Sequence, residues 1–222
     1  MALYLIRHGE TPGNRDRVIQ FPDTPLSDRG LEQARRLGDR MSGVPVAEIW
    51  VSDHARAHQT AEAIGATTGA PLRVVGDLAE RNLGALRGRA YHDLGFDPFA
   101  PDYHPPEGES WSEFHARVDR VWARVEHRWL EAFADRKDVG DLCVVTHGLV
   151  LRSLFERRLL DEAGLARHAN ADGQVAIANT AVSILQPEPI QGDALRYRIE
   201  RLACIAHLDP ETAPRVNPNV GM

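Results

Sequence analysis

Residues 3–10, Leu3-Tyr4-Leu5-Ile6-Arg7-His8-Gly9-Glu10, decide the fold. Leu3 to Ile6 form a compact apolar run of the kind that builds a buried strand. A cation, an imidazole and a glycine follow it directly, with no polar linker between. A second run, Leu142-Cys143-Val144-Val145-Thr146-His147-Gly148, ends in the same way. Two core strands therefore each deliver a His-Gly pair to their carboxyl ends.

Further apolar runs read as strands at Glu48–Val51, Leu72–Val75, Val175–Leu185 and Leu195–Ala203. Segments with helical spacing separate them. Leu31, Ala34, Gly38 and Met41 share one face, with Ser27 placed to cap the helix start. Phe114, Val118, Val121, Val125, Trp129 and Phe133 recur at three- and four-residue steps and predict a long amphipathic helix. Leu151, Leu154, Phe155 and Leu159 predict another after the second His-Gly. Strands alternating with helices imply an α/β fold, a largely parallel sheet covered on both faces. Sites in such sheets form outside the carboxyl ends of the strands, where both His-Gly pairs lie.

The chain has 222 residues and a net charge of −6. That length suits one domain with a sizeable core, expected over residues 1–207. Residues 94–109 carry four prolines and scattered aromatics, and predict a lid inserted over about 87–110. Residues 208–222 are proline-rich and poor in apolar residues, and predict an irregular, partly mobile tail. The acidic balance argues against a nucleic-acid partner, so any anion must meet a local concentration of positive charge. No apolar stretch is long enough to span a membrane and no secretory leader is visible, so a cytoplasmic location is expected. Cys143 and Cys204 sit in strand-like runs and read as small buried residues of a reducing compartment.

His8 alone admits three readings: metal ligand, packed core residue or nucleophile. No metal-ligand spacing such as HExxH accompanies it. A nucleophilic imidazole needs one ring nitrogen held by a hydrogen bond, cationic donors for the electrophile, and an acid for the leaving group. Arg7 is adjacent. Arg56, in Ser52-Asp53-His54-Ala55-Arg56-Ala57-His58-Gln59-Thr60-Ala61, is expected about one turn into a helix, where its guanidinium can fork onto phosphate. Glu80 and Arg81 open Glu80-Arg81-Asn82-Leu83-Gly84-Ala85-Leu86-Arg87-Gly88, and His147 supplies a second imidazole.

Taken in order, RHGETPGN, SDHARAHQTA, ERNLGALRG and VVTHG resemble the histidine phosphatase superfamily, which includes the cofactor-dependent phosphoglycerate mutases. The stretch DTPLSDRG, Asp23 to Gly30, fits as well, and the likeness runs from Leu3 to about Leu185. The resemblance implies a three-layer α/β/α sandwich around a mostly parallel sheet. It implies that His8 is the nucleophile and becomes phosphohistidine, with Gly9 keeping side chains clear of the phosphate. Arg7, Arg56 and His147 would line the phosphate pocket, Asn14 would donate to the phosphoryl group, and Glu80 would protonate the leaving oxygen and then activate water. Gln20, Arg81 and Gly148 are further candidates for substrate contact. The expected ligand is a small phosphorylated metabolite, with no cofactor and no metal.

Within the family, the chain departs from the mutases. Tyr91 stands about eleven residues after Glu80, where mutases carry a lysine, and no adjacent arginine pair lies between Glu80 and His147. Pro105-Pro106-Glu107-Gly108-Glu109-Ser110 instead resembles an element of the phosphatase branch. A phosphomonoester hydrolase is therefore expected, with a mutase and a non-catalytic phospho-ligand binder as alternatives. Loss of His8 or Glu80 would mark the binder, and both are present. Arg87, Arg89, Tyr91, His92 and His104 are the lid residues available to the rest of the substrate.

Overall fold

The computed structural model describes residues 1–134, 140–170, 173–190, 194–209 and 211–213. In chain order its elements are β1 Leu3–Arg7, α1 Pro12–Asp16, α2 Asp28–Met41, β2 Val46–Val51, α3 Ala55–Thr68, β3 Leu72–Val74, α4 Trp111–Ala134, β4 Asp141–Thr146, α5 Gly148–Leu154, α6 Glu162–His168, β5 Val182–Pro189 and β6 Leu195–Cys204. The six strands form one sheet in the order β3-β2-β4-β1-β5-β6. The first four are parallel, and β5 and β6 add an antiparallel hairpin along the β1 edge.

Both faces of the sheet are covered, and the strands show it residue by residue. Leu3 and Leu5 of β1, with Leu142 and Val144 of β4, pack under α4 and α5. Their neighbours Ile6, Cys143 and Val145 point the other way, onto α2 and α3. This alternation is the period-2 geometry of a strand buried on both sides. The layers are thus α/β/α, as the motif order implies. In α4, Phe114, Val118, Val121, Val125 and Trp129 are buried against the sheet. Full burial of such side chains contributes about 1.5–3 kcal/mol each, so α4 clamps one whole face. The side chain of Phe133 lies outside the described residues.

Several boundaries differ from the sequence reading. The run expected as a strand over Val175–Leu185 enters the sheet only at Val182. Val175 makes an isolated bridge to Ala169, and Thr180 adopts a left-handed φ of 53°, which breaks the extended chain. α2 buries Gly30, Gln33, Ala34, Leu37, Gly38 and Met41, while Leu31 is exposed. At about 100° per residue Leu31 falls at the edge of that face, not on it. The helix after the second His-Gly gives way at Phe155 to a π-helical turn over Phe155–Leu159, yet its four expected apolar residues are buried. Cys143 is buried and Cys204 half-buried, both as free thiols.

The segment expected as a lid packs through Leu94, with Tyr91, Phe99 and Tyr103 at its flank, onto a small core shared with Ile19, Leu83 and Leu86. It is stitched to the segment after α1 by Ile19 N–H to Arg89 O (2.9 Å), Gly88 N–H to Ile19 O (2.7 Å) and Tyr91 N–H to Arg17 O (2.9 Å). At the other end of the chain, Thr212 is buried against α2, where the Gln33 amide donates to its carbonyl at 2.8 Å. Asp209 pairs with Arg36 at 2.6 Å, and Arg29 donates to the Ala213 carbonyl. Residues 214–222 lie outside the described residues.

Gly30 is the tightest backbone approach near β1: a Cβ there would sit 1.9 Å from the Glu10 carbonyl. Gly30→Ala must push α2 off the loop that follows β1, and is expected to cost about 1–3 kcal/mol or more as overpacking. Urea denaturation checks this; an unchanged midpoint would mean that α2 is not in contact as described.

Candidate active site

The parallel pairing of β1 and β4 places Arg7 opposite Thr146, and His8 N–H continues the ladder to Thr146 O at 3.0 Å. The residues just beyond the two strands, His8 and His147, therefore meet side by side, with ring centroids 5.0 Å apart. β2 also pairs with β4, so its carboxyl end brings Ser52 and His54 to the same edge of the sheet. His54 lies 4.8 Å from His147, ring to ring, and Ser52 Oγ is 2.8 Å from His147 Nε2. Three neighbouring strands thus converge on one cluster of imidazoles.

The loop that carries His8 is held at nearly every backbone group. Gly9 N–H donates to Thr60 Oγ1 (3.0 Å), Glu10 N–H to Gln33 Oε1 (2.8 Å) and Thr11 N–H to Asn14 Oδ1 (3.2 Å). The His8 carbonyl accepts from Thr180 N–H (3.2 Å) and the Asn179 amide (3.0 Å). Gly9 has a further cause besides the one its sequence suggests. A Cβ there would meet the Gly30 carbonyl at 2.8 Å and Leu26, so the glycine is also required by packing against α2.

His8 is almost fully buried, and its Nδ1 is 2.7 Å from the Gly9 carbonyl. A carbonyl only accepts, so Nδ1 carries the proton and Nε2 keeps a lone pair. Burial, with the charges of Arg56 and Arg7 beside it, drives the His8 pKa well below the usual imidazole value. His147 is lowered in the same way by burial and Arg56, and His54 falls to about 3. All three rings are neutral at pH 7.

Arg7 leaves β1 with one guanidinium nitrogen bound to the Ile177 carbonyl at 2.6 Å, and Arg56 binds the Phe21 carbonyl (3.1 Å) and His54 Nδ1 (3.0 Å). Burial lowers both guanidinium pKa values to about 10, which leaves them charged. α3 begins at Ala55, so Arg56 is in the first turn of the helix, earlier than the sequence suggests. The Nε atoms of Arg7 and Arg56 are buried donors without a protein partner, and His147 Nδ1 is a buried ring nitrogen without one. Such orphans are rare and cost about 1–3 kcal/mol each. Glu80 is fixed from two sides, its oxygens accepting from Arg81 N–H (3.0 Å) and Leu149 N–H at the start of α5 (3.1 Å).

A cleft runs from this cluster to the lid. Arg7, His8, Asn14, Gln20, Arg56, Glu80 and Arg81 all line it. His147 and Gly148 do not: His147 packs behind His8 and His54, and Gly148 is buried at the start of α5. Asn14 Oδ1 is occupied by Thr11 and Asn179, which leaves its NH2 group as the end available for a ligand. Arg81 is used structurally. Its guanidinium binds the carbonyls of Glu109, Pro98 and Tyr103 and stacks on Trp111 at 4.0 Å, so it holds the lid.

Of the lid residues, Arg87 and Tyr91 reach the cleft. Arg89 is turned to the Asp93 carbonyl, and His92 and His104 lie beside Asp93 and Glu113 at the surface. The sequence reading missed His54, Arg17 and the Ser52–His147 contact. His54 was accessible by the strand-end rule that singled out His8, whereas Arg17 enters only because its backbone turns left-handed at φ 55°. His54 and His58 stand four residues apart, but His58 pairs with Glu62. Among the described residues no group of three or more His, Cys, Asp or Glu side chains is placed to hold a metal ion. Nor is any described helix long and apolar enough to cross a membrane.

The chain is similar over most of its length to proteins with two kinds of name. "Phosphoglycerate mutase-like protein 4" of Arabidopsis thaliana is 34% identical, covering 93% of this chain and 86% of its own. "Probable phosphoglycerate mutase GpmB" of Salmonella arizonae is 28% identical, over 94% of this chain and 95% of its own. Among solved structures, a mycobacterial glucosyl-3-phosphoglycerate phosphatase superposes with a TM-score of 0.71 at 26% identity, over 90% of this chain and 96% of that one. The model of the histidine phosphatase superfamily (branch 1) matches residues 3–200. A neutral buried histidine between two arginines at the end of a parallel sheet, on a chain matched almost end to end, therefore places this protein in the histidine phosphatase superfamily.

Proposed function

We propose that the protein is a phosphomonoester hydrolase that works through a phosphohistidine on His8. The observation that carries this reading is the placing of a neutral His8, its Nε2 lone pair free, beside the guanidinium groups of Arg7 and Arg56 in the lining of one cleft. A phosphoryl group is the electrophile that such a site suits, since its transition state demands positioning and charge stabilisation more than covalent chemistry.

In the first step Nε2 of His8 attacks phosphorus and the bond from phosphorus to the ester oxygen breaks. Arg7 and Arg56 stabilise the equatorial oxygens, and the Asn14 amide donates to one of them. His147 backs the nucleophile and keeps its ring in place. Glu80, as the carboxylic acid, gives its proton to the departing oxygen. In the second step Glu80, now a carboxylate, takes a proton from water as the water attacks phosphorus. The P–N bond breaks, inorganic phosphate is released, and neutral His8 and the Glu80 acid are regenerated.

The mutase alternative shares the first step and returns the phosphoryl group to a second substrate hydroxyl. The names of the curated relatives favour it. The features of this chain favour the hydrolase: Tyr91 lines the cleft where mutases carry a lysine. Incubation with 3-phosphoglycerate separates the two, free phosphate indicating hydrolysis and 2-phosphoglycerate a mutase.

Rapid quenching in alkali with a labelled phosphomonoester should trap acid-labile phosphate on His8; label on serine, or none in a single turnover, would remove His8 as nucleophile. Glu80→Gln should slow turnover by roughly 10²–10⁴-fold, and less for a nitrophenyl ester, whose leaving group needs no proton. Equal losses on both esters would exclude the acid role. The pocket imidazoles also set a pH dependence. Their folded pKa values lie below the unfolded value of about 6.5, so the unfolded chain binds more protons below that pH. Stability is full above pH 6.5 and falls as pH drops towards 5, by up to about 1.4 kcal/mol per pH unit for each ring. His54→Gln should flatten that slope in chemical denaturation between pH 6.5 and 5; an unchanged slope would mean that His54 is not held neutral.

A further inference from the structure

We propose that Gln33 is a positioning residue for His8, holding the peptide that fixes the tautomer of its ring, and that the C-terminal turn around Thr212 keeps Gln33 in that role. For catalysis this rests on the phosphohistidine reading; for the protonation of the His8 ring it does not.

The lone pair on His8 Nε2 depends on a proton kept at Nδ1, and the Gly9 carbonyl, 2.7 Å away, keeps it there. That carbonyl belongs to the Gly9–Glu10 peptide, one rigid plane whose C=O and N–H point opposite ways. Rotation of the plane about its two Cα atoms would swing the carbonyl away from the ring. Gly9, on one side of it, has no Cβ to oppose such a turn. The N–H of the same peptide, that of Glu10, is bound to Gln33 Oε1 at 2.8 Å. Fixing the N–H fixes the C=O, so Gln33 acts on the His8 ring through one planar group.

Gln33 is itself oriented. Its side chain lies buried on α2, and its Nε2 donates to the Thr212 carbonyl at 2.8 Å. An amide side chain offers an accepting oxygen at one corner and a donating nitrogen at the other. Glu10 N–H can only donate and Thr212 O can only accept, so one of the two amide orientations satisfies both. Reversed, the amide would set two donors face to face at Glu10 and two acceptors at Thr212, leaving buried polar groups unpaired.

A single carboxylate builds the turn that presents Thr212 O. Asp209 Oδ1 accepts from Thr212 N–H (2.9 Å), the Thr212 hydroxyl (2.7 Å) and Glu211 N–H (3.2 Å). Its Oδ2 pairs with Arg36 of α2 at 2.6 Å. Arg29, also on α2, spans both ends of the relay, donating to the Glu10 carboxylate (3.4 Å) and to the Ala213 carbonyl. The C-terminal turn is thus fastened to the helix that pins the loop after β1.

Long-range proton–nitrogen NMR spectra of histidine-labelled enzyme report which nitrogen of His8 bears the proton, its signal being assigned by loss in His8→Asn. The unmodified enzyme should show Nδ1–H alone. Gln33→Met keeps the length of the side chain and loses the amide. It should show a mixture with Nε2–H, and kcat should fall by about 10–100-fold while KM changes less than about threefold. Gln33→Glu keeps an acceptor for Glu10 N–H and should retain Nδ1–H. Asp209→Ala, in the full chain, unties the turn and leaves Gln33 in place; it should move His8 in the same direction by a smaller amount. Persistence of Nδ1–H alone in Gln33→Met, or in Asp209→Ala if the methionine variant does not fold, overturns the proposal. If the unmodified enzyme forms no phosphohistidine, the hydrolase reading falls, and the tautomer spectra still decide this one.

Discussion

The site depends on the parallel hydrogen bonding of β1 to β4. Because that register sets Arg7 opposite Thr146, the next residue of each strand is a histidine, and the two imidazoles have no choice but to meet. A shift of one residue in either strand would send every side chain of that strand to the other face and remove the imidazole from the cluster. Register is secured by core residues on both faces, Leu3 and Leu5 on one side and Ile6 on the other. The chemistry at the end of the sheet is in this sense paid for by ordinary hydrophobic packing along it.

The same crowding sets the electrostatics. Arginines are the cations that tolerate burial, since their charge persists even when desolvation lowers the pKa to about 10. Histidines placed between them lose their protons instead. Burial thus produces two populations of basic side chain from one environment: permanent cations and neutral rings. The backbone carbonyl of Gly9 then chooses which nitrogen of His8 stays unprotonated. Neutral imidazole and charged guanidinium are thus differentiated, and among the described residues no carboxylate is hydrogen-bonded to the His8 ring.

Much of this was legible in the sequence because strand ends announce themselves. An apolar run that stops at Arg7-His8 or Thr146-His147 fixes both a burial pattern and the position of a polar group, and the motif order supplied Arg56, Glu80 and Asn14. What escaped depended on distant backbone. Gly9 is small because α2 crosses it, and nothing within the motif names Gly30 as its neighbour. Leu31 was read as core because a three- and four-residue spacing fits two adjacent stripes of a helix equally well, and the sheet contacts only one. Arg81 is expected from its motif as a substrate contact and does line the cleft, but its sequence does not announce the three carbonyls that its guanidinium also binds. Local spacing shows that a cation is present and not what it will meet.

The joint between the lid and the sheet has a consequence of its own. Arg117 on α4 binds the carbonyls of Asp77 and Ala79, reaches Glu80 O at 3.3 Å, and grips the Glu109 carboxylate at 2.7 Å. Glu109 in turn holds Asn82 N–H at 2.9 Å. Both roots of the lid are therefore riveted to the segment that carries Glu80. Residues between those roots can lengthen, shorten or change character without shifting the carboxylate. The lid segment thus hangs from the same arginine that fixes the backbone ahead of the Glu80 carboxylate.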